Sequence, residues 1–257
     1  MQIYVCVKHV PDTAATINVV GDTGYKDTAC KFIINPYDEY AVEEAVQRVE
    51  TAGSGEVIVV TVGPAAAVST MRAAMAMGAH RGILVKVQGQ FLDSTLTSLA
   101  LKAAIEQDGA PDIIFAGRDA VDTEGFQTQY RLAAAMNLPV VNEVVKLDIN
   151  NGQAIVEREV GGGTREVLEM KMPCIIGATK GLNEPRYPKF PDIMKAKKKE
   201  IKEIEFDQLG LDTCVDQTEL LKLEAVPERS SAQIMQGSIR EQVVELVRIL
   251  KEDDKVL

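Results

Sequence analysis

The sequence predicts a doubly wound α/β fold built on a mostly parallel sheet. Three observations predict it: short runs of consecutive Val and Ile, helical patterns alternating with those runs, and a change of pattern after Pro139. The runs at 3–7, 57–62, 82–87 and 112–116 are apolar on successive residues. That pattern suits strands covered on both faces, as in a parallel sheet.

The first helix opens on Asn35-Pro36-Tyr37-Asp38-Glu39 and carries Ala41, Val42, Ala45, Val46 and Val49 on one stripe. Asn suits the cap, Pro the first helical position, and early acids complement the helix dipole. A second helix is expected over about 66–77, closed by Gly78, a third over 94–106, and a fourth from near Gly125 to Met136, ended by Asn137 and Pro139. Beyond Pro139, residues 140–149 and 154–160 flank Asn150-Asn151-Gly152 and read as an antiparallel hairpin; 165–178 adds further strand. The basic run at 195–199 precedes a stretch of weak periodicity reaching about Gln236. A C-terminal arm then ends in an amphipathic helix, with Ser238 and Glu241 as a capping box and Ile239, Val243, Leu246, Val247 and Leu250 as its apolar stripe. The expected division is 1–193 as the α/β domain and 194–257 as arm and helix.

Composition narrows the function. The chain has 257 residues, a net charge of −10, 46% hydrophobic and 26% charged residues. Acidic balance disfavours a nucleic-acid partner. No apolar run approaches a membrane span. The two histidines, His9 and His80, make a histidine-based centre unpromising, and the cysteines Cys6, Cys30, Cys174 and Cys214 lack any CxxC spacing. Reduced thiols and the immediate strand at the N-terminus lead us to expect a cytoplasmic protein without a leader.

In open parallel sheets, ligands bind beyond the C-terminal strand ends. Cys6, Asn35, Val62 and the stretch from Gly117 through Asp122, Gly125, Phe126, Gln127 and Thr128 fall there. Gly117 and Gly125 let backbone approach a ligand, and Gln127 and Thr128 lie in a first helical turn, where amides favour phosphate. No GxGxxG and no GxxxxGK[ST] occurs. Physics alone leaves a nucleotide site and an ordinary βα loop both open. Asp119, Asp122 and Glu124 form a polar loop better read as solvated than catalytic. Nothing forms a catalytic constellation, so the residues point to a binder rather than an enzyme.

From Thr179-Lys180-Gly181-Leu182-Asn183-Glu184-Pro185-Arg186-Tyr187, followed by Pro191-Asp192-Ile193-Met194-Lys195-Ala196-Lys197-Lys198-Lys199, the chain resembles the β subunit of electron-transfer flavoproteins. Val7-Lys8 with Pro11-Asp12, Asn35-Pro36 before Ala41-Val42-Glu43-Glu44-Ala45, and Gly117-Arg118-Asp119-Ala120-Val121-Asp122 with Gln127-Thr128 agree in order. The resemblance covers nearly the whole chain. It implies a sheet of the adenine-nucleotide-binding type and a larger α subunit holding a redox-active FAD. It also implies electron flow from acyl-CoA-type, flavin-dependent dehydrogenases to a quinone oxidoreductase acceptor, without direct membrane insertion.

The resemblance further implies that this subunit holds AMP, or a second FAD in the electron-bifurcating type. By position, Cys6, Asn35, Val62 and the 122–128 loop match the family's nucleotide contacts, with Gly117 at the loop's start. The 186–195 loop matches its recognition loop, making Arg186, Tyr187, Phe190, Pro191, Ile193, Met194 and Lys195 partner-binding. Phe190 stands where the family usually has Leu, and Phe126 where it often has Asn. A bulky Phe126 sits poorly beside a whole second flavin, which favours AMP. A stand-alone adenine-nucleotide hydrolase is the competing reading, though the SGGxDS motif it predicts is absent.

Overall fold

The structure is a computed structural model describing residues 1–21, 24–25, 30–88, 92–211, 214, 216–225, 227, 231–232, 234–253 and 255–256. Its centre is a nine-stranded sheet. In chain order the elements are β1 (Gln2–Cys6), β2 (His9–Pro11), β3 (Val19–Val20), β4 (Gly24–Tyr25), β5 (Phe32–Ile34), α1 (Pro36–Ala52), β6 (Glu56–Gly63), α2 (Val68–Met77), β7 (Arg81–Lys86), α3 (Ser94–Asp108), β8 (Ile113–Gly117) and α4 (Thr128–Met136). Then come β9 (Val140–Asn150), β10 (Gln153–Glu159), β11 (Arg165–Lys171), β12 (Ile175–Ala178), α5 (Phe190–Ala196), β13 (Ile201–Glu205) and α6 (Ile239–Arg248).

The sheet order is β11-β10-β9-β12-β8-β1-β6-β7-β13. Seven strands from β9 to β13 run parallel, while β10 and β11 extend one edge antiparallel. The chain leaves the central β1 on one side through β6 and β7, then returns through α3 to β8 on the other. That reversal opens a crevice at the carboxyl tips of β1 and β8.

The apolar runs are buried on both faces. Ile3, Val5, Val57, Val59, Ile113 and Phe115 pack with α1 and α2, whereas the intervening Tyr4, Ile58, Val60 and Ile114 pack with α3 and α4. Each such aliphatic side chain contributes about 1.5–3 kcal/mol on leaving water, which makes the sheet the fold's main stabilising element. Helix α1 begins on Pro36, buries Ala41, Val42, Ala45, Val46 and Val49, and stops at Gly53 in a left-handed conformation. The hairpin β9–β10 turns on Asn151 and Gly152, both at positive φ, the signature of the tight primed turn expected from Asn-Gly.

A polar network closes the opposite, amino-terminal end of the strands. Arg81 forks onto Asp108 (2.9 and 2.7 Å) and also reaches Glu56, while the buried Tyr4 hydroxyl donates to Asp108 at 2.8 Å. Burial first, then its bond to Asp108, raises the Tyr4 hydroxyl above its ordinary pKa.

Several expectations change. The side chain of Asn35 makes no capping bond to α1. Helix α4 starts at Thr128 rather than near Gly125. The 165–178 stretch is two strands, β11 at the edge and β12 between β8 and β9. Most notably, the tail beyond residue 193 contributes β13, which pairs in parallel with β7. The compact units are Met1–Leu223 and Glu224–Leu257, so the sheet claims part of the segment expected in the arm. Within the second unit, α6 carries the expected capping box, with Ser238 N donating to Glu241 at 2.8 Å, and none of its residues is buried.

Candidate functional site

The crevice at the β1 and β8 tips is filled from within by the start of α1. Asp38 inserts its carboxylate between the two strands: Oδ2 accepts from Lys8 N at 2.7 Å, and Oδ1 from Gly117 N at 3.1 Å and Asn35 Nδ2 at 2.9 Å. Burial pushes the Asp38 carboxyl up to about 7, against those three donors. Asn35, 1% exposed, reaches across to the following loop, donating to Asp119 O at 2.7 Å and accepting from Val121 N at 3.1 Å. One amide thus fastens the 117–128 loop to the N-terminus of α1. Freed from capping duty, it serves as a brace.

Gly117 is needed for close approach, as the sequence predicts, but what approaches is the protein itself. A Cβ there would lie 2.3 Å from Asp38 Oδ1 and 2.9 Å from Asp38 N. Gly125 is different: a Cβ would meet nothing within 4 Å, and its backbone is not at positive φ.

The remaining loop residues have definite partners. Asp122 pairs with Lys8 Nζ at 2.7 Å. Phe126, at φ 53°, donates its amide to Asp119 at 3.2 Å. Its ring covers one aromatic contact of the Arg118 guanidinium (5.2 Å), and Tyr37 supplies another at 4.7 Å. Gln127 Oε1 accepts from Arg131 Nε and Nη2 (3.0 and 2.7 Å) and from Ser94 Oγ (3.3 Å), while Arg131 Nη1 reaches Thr95. Gln127 therefore joins the starts of α3 and α4. No side chain caps α4, so first-turn amides beginning at Thr128 lack intrahelical acceptors beside a guanidinium. Such a donor set fits a phosphate.

Cys6 ends β1, and Val62 lies near the end of β6 beside it. Burial, with a smaller push from Asp38, raises the Cys6 thiol to about 12, and burial raises Cys174 to about 11. Neither thiol is poised as a nucleophile or ligand. Among the described residues, no three His, Cys, Asp or Glu are grouped to hold a metal, and no helix is long and apolar enough to cross a membrane.

The 186–195 segment forms a separate surface on the α1/α2 face. Tyr187 is 96% and Phe190 74% exposed, and Pro191, Ile193, Met194 and Lys195 are exposed beside them. Arg186 departs from this: its guanidinium is bound to Glu43 and Glu50 of α1. Lys199, the last residue of the basic run, donates to Met75 O and Ala79 O (2.9 and 2.6 Å) at the end of α2. Sequence reasoning missed Asp38, Arg118, Arg131 and Glu43 as structural parts of these surfaces. Only the adjacency of Asp38 to Asn35 offered a signal.

Comparison with known proteins places this geometry in a family. The electron transfer flavoprotein domain family matches residues 23–209. The chain is 36% identical over 261 residues to the electron transfer flavoprotein subunit beta of Bacillus subtilis, covering 100% of both chains. It is 38% identical over 258 residues to that of Bradyrhizobium diazoefficiens, and 38% over 260 residues to the mitochondrial subunit beta of Arabidopsis thaliana, again covering 100% of both chains in each pair.

Proposed function

The chain belongs to the electron transfer flavoprotein β-subunit family, and on that premise we propose that it is the nucleotide-holding half of an electron-carrying heterodimer. A larger α subunit holds the redox-active FAD, and the pair takes electrons from acyl-CoA-type dehydrogenases and delivers them to a quinone-linked acceptor. The observation that carries this reading is the uncapped start of α4, set next to Arg131 in a loop braced to the β1 and β8 tips by Asn35. It is a preorganised anion cradle with no acid, base or nucleophile arranged for chemistry.

The bound nucleotide is AMP, its phosphate on the amides and side chains of Gln127 and Thr128, with Cys6, Asn35, Val62, Gly117, Asp122, Gly125 and Phe126 around it. Phe126 turned against Arg118 supports AMP over a second FAD, because that ring and guanidinium occupy space along the loop. The exposed apolar side chains of 187–194 dock donor dehydrogenases, as one anchor on a small transient interface suffices for electron transfer. The apolar stripe of α6 docks on the α subunit.

The test is to co-express the chain with its larger partner, denature the purified complex and quantify released nucleotides by chromatography and mass. One FAD and one AMP per heterodimer is expected. Two FAD would assign the complex to the electron-bifurcating type. Nucleotide turnover by the isolated chain would instead support the hydrolase reading. No bound nucleotide and no larger partner would refute the proposal.

A further inference from the structure

We propose that Arg186 is a positioning residue, which sets the pose in which the 187–194 ridge meets an electron-donating dehydrogenase. The inference rests on the docking role proposed above for that ridge. Residues 183–189 form no helix or strand, so nothing in their own backbone fixes where Tyr187 stands or how the chain enters α5 at Phe190. Arg186 supplies what the backbone lacks. Its Nε and Nη2 donate to Glu43 (2.8 and 3.0 Å), its Nη1 and Nη2 to Glu50 (2.7 and 2.9 Å), and its backbone amide to Glu43 (3.1 Å).

The two carboxylates lie seven residues apart, two turns along one face of α1. A planar guanidinium grips both with paired, directed bonds, whereas an ammonium offers only point contacts. Glu43 is 2% exposed and is itself fixed by Gln47 at 2.7 Å. Burial would raise its carboxyl, but the bonds from Arg186 and Gln47 outweigh that and hold it below its ordinary value. Asn183 adds bonds to Tyr40 O (3.0 Å) and Glu44 (3.1 Å).

At the far end of the segment, Lys199 binds the carbonyls of Met75 in α2 and of Ala79 just beyond it, and Arg72 binds that of Ala196 in α5. The ridge is therefore tethered at both ends while its apolar side chains stay exposed. A loop held in its docking conformation loses less entropy on binding, and that difference appears in affinity. Four of the five guanidinium N–H groups are aimed at α1, so Arg186 acts through the ridge and not as a partner contact.

The test uses the co-expressed heterodimer as acceptor for a purified acyl-CoA dehydrogenase supplied with its acyl-CoA, with KM and kcat measured for R186A, R186K, E50Q and F190A. R186A is expected to raise KM about tenfold with kcat changed less than about twofold. R186K should recover part of the loss, and E50Q, which removes one exposed half of the clamp, should raise KM less than R186A. A raised KM in F190A with unchanged KM in both R186A and E50Q would overturn the positioning role and leave the docking reading intact. Unchanged KM in F190A would overturn the docking reading, and this proposal with it. If R186A loses flavin or thermal stability, E50Q decides: its unchanged KM would sink the proposal.

Discussion

Substituting Gly117 by Ala asks whether the crevice between β1 and β8 is as tightly closed as its geometry implies. The added methyl would sit 2.3 Å from Asp38 Oδ1, 2.8 Å from Tyr37 Cβ and 2.9 Å from Asp38 N. The last of these is backbone, so relief requires the first turn of α1 to move. Overpacking of this kind costs about 1–3 kcal/mol. Moving α1 also weakens the Gly117 N to Asp38 hydrogen bond, and a bond to a charged group is worth about 1.5–3 kcal/mol. Together the loss is roughly 3–6 kcal/mol, and at about 2–4 °C per kcal/mol for a unit of this size Tm falls on the order of 10 °C. Gly125→Ala is the control: the same added methyl in the same loop meets nothing within 4 Å and should shift stability by less than about 0.5 kcal/mol. Thermal unfolding of the heterodimer, followed by circular dichroism, reads both. A Gly117→Ala complex melting with the unsubstituted one would show that α1 has slack, and the closed-crevice argument would be wrong.

Other outcomes follow from the same geometry. A Gln127→Ala, Thr128→Ala double variant should lose bound nucleotide, measured as released AMP per heterodimer; full occupancy would remove both side chains from the site. Arg81→Met leaves the partly buried Asp108 at the base of the sheet without its fork, and should cost about 2 kcal/mol by denaturant midpoint; a change under about 0.5 kcal/mol would reduce that network to a surface pair. Because the folded-state pKa of Asp38 is raised to about 7, its protonated form favours folding. That contribution is full below the unfolded value near 3.9, and is lost as pH rises through about 7, at no more than about 1.4 kcal/mol per unit. Asp38→Asn should flatten the decline in stability between about pH 4 and 7, and an unaltered slope would show that another group titrates there.

Much of the fold was legible because it depends on local pattern. Consecutive Val and Ile marked the doubly covered strands, and Asn151-Gly152 marked the hairpin turn. β13 was not legible, since Ile201-Lys202-Glu203-Ile204-Glu205 alternates neither with period two nor as a continuous apolar run. An edge strand with solvent-facing charges need not do so. At the site, the position of the 117–128 loop was legible from strand, glycine and helix order. The role of Asp38 was not, because an acid in a first helical turn reads as a dipole complement until the tertiary fold inserts it between two strands. The contacts of Arg186 and Lys199 were not legible for a related reason: charge on a loop or helix end carries no mark of its acceptors, and only the packed neighbour reveals them.

The connection from β12 to β13 has one more consequence. Those strands occupy the fourth and ninth places in the sheet, so residues 179–200 must span five strand spacings, about 24 Å, across the outside of α1 and α2. What secures this strap lies towards its ends, in Asn183 and Arg186 on one side and in buried Ala196 and Lys199 on the other. The middle carries almost no structural duty. Substitutions of the exposed side chains there change the surface the molecule offers without disturbing the sheet, the crevice or the loop that borders it. If the proposed docking role holds, descendants of such a chain acquire new electron donors by changing a few exposed side chains, with folding left untouched.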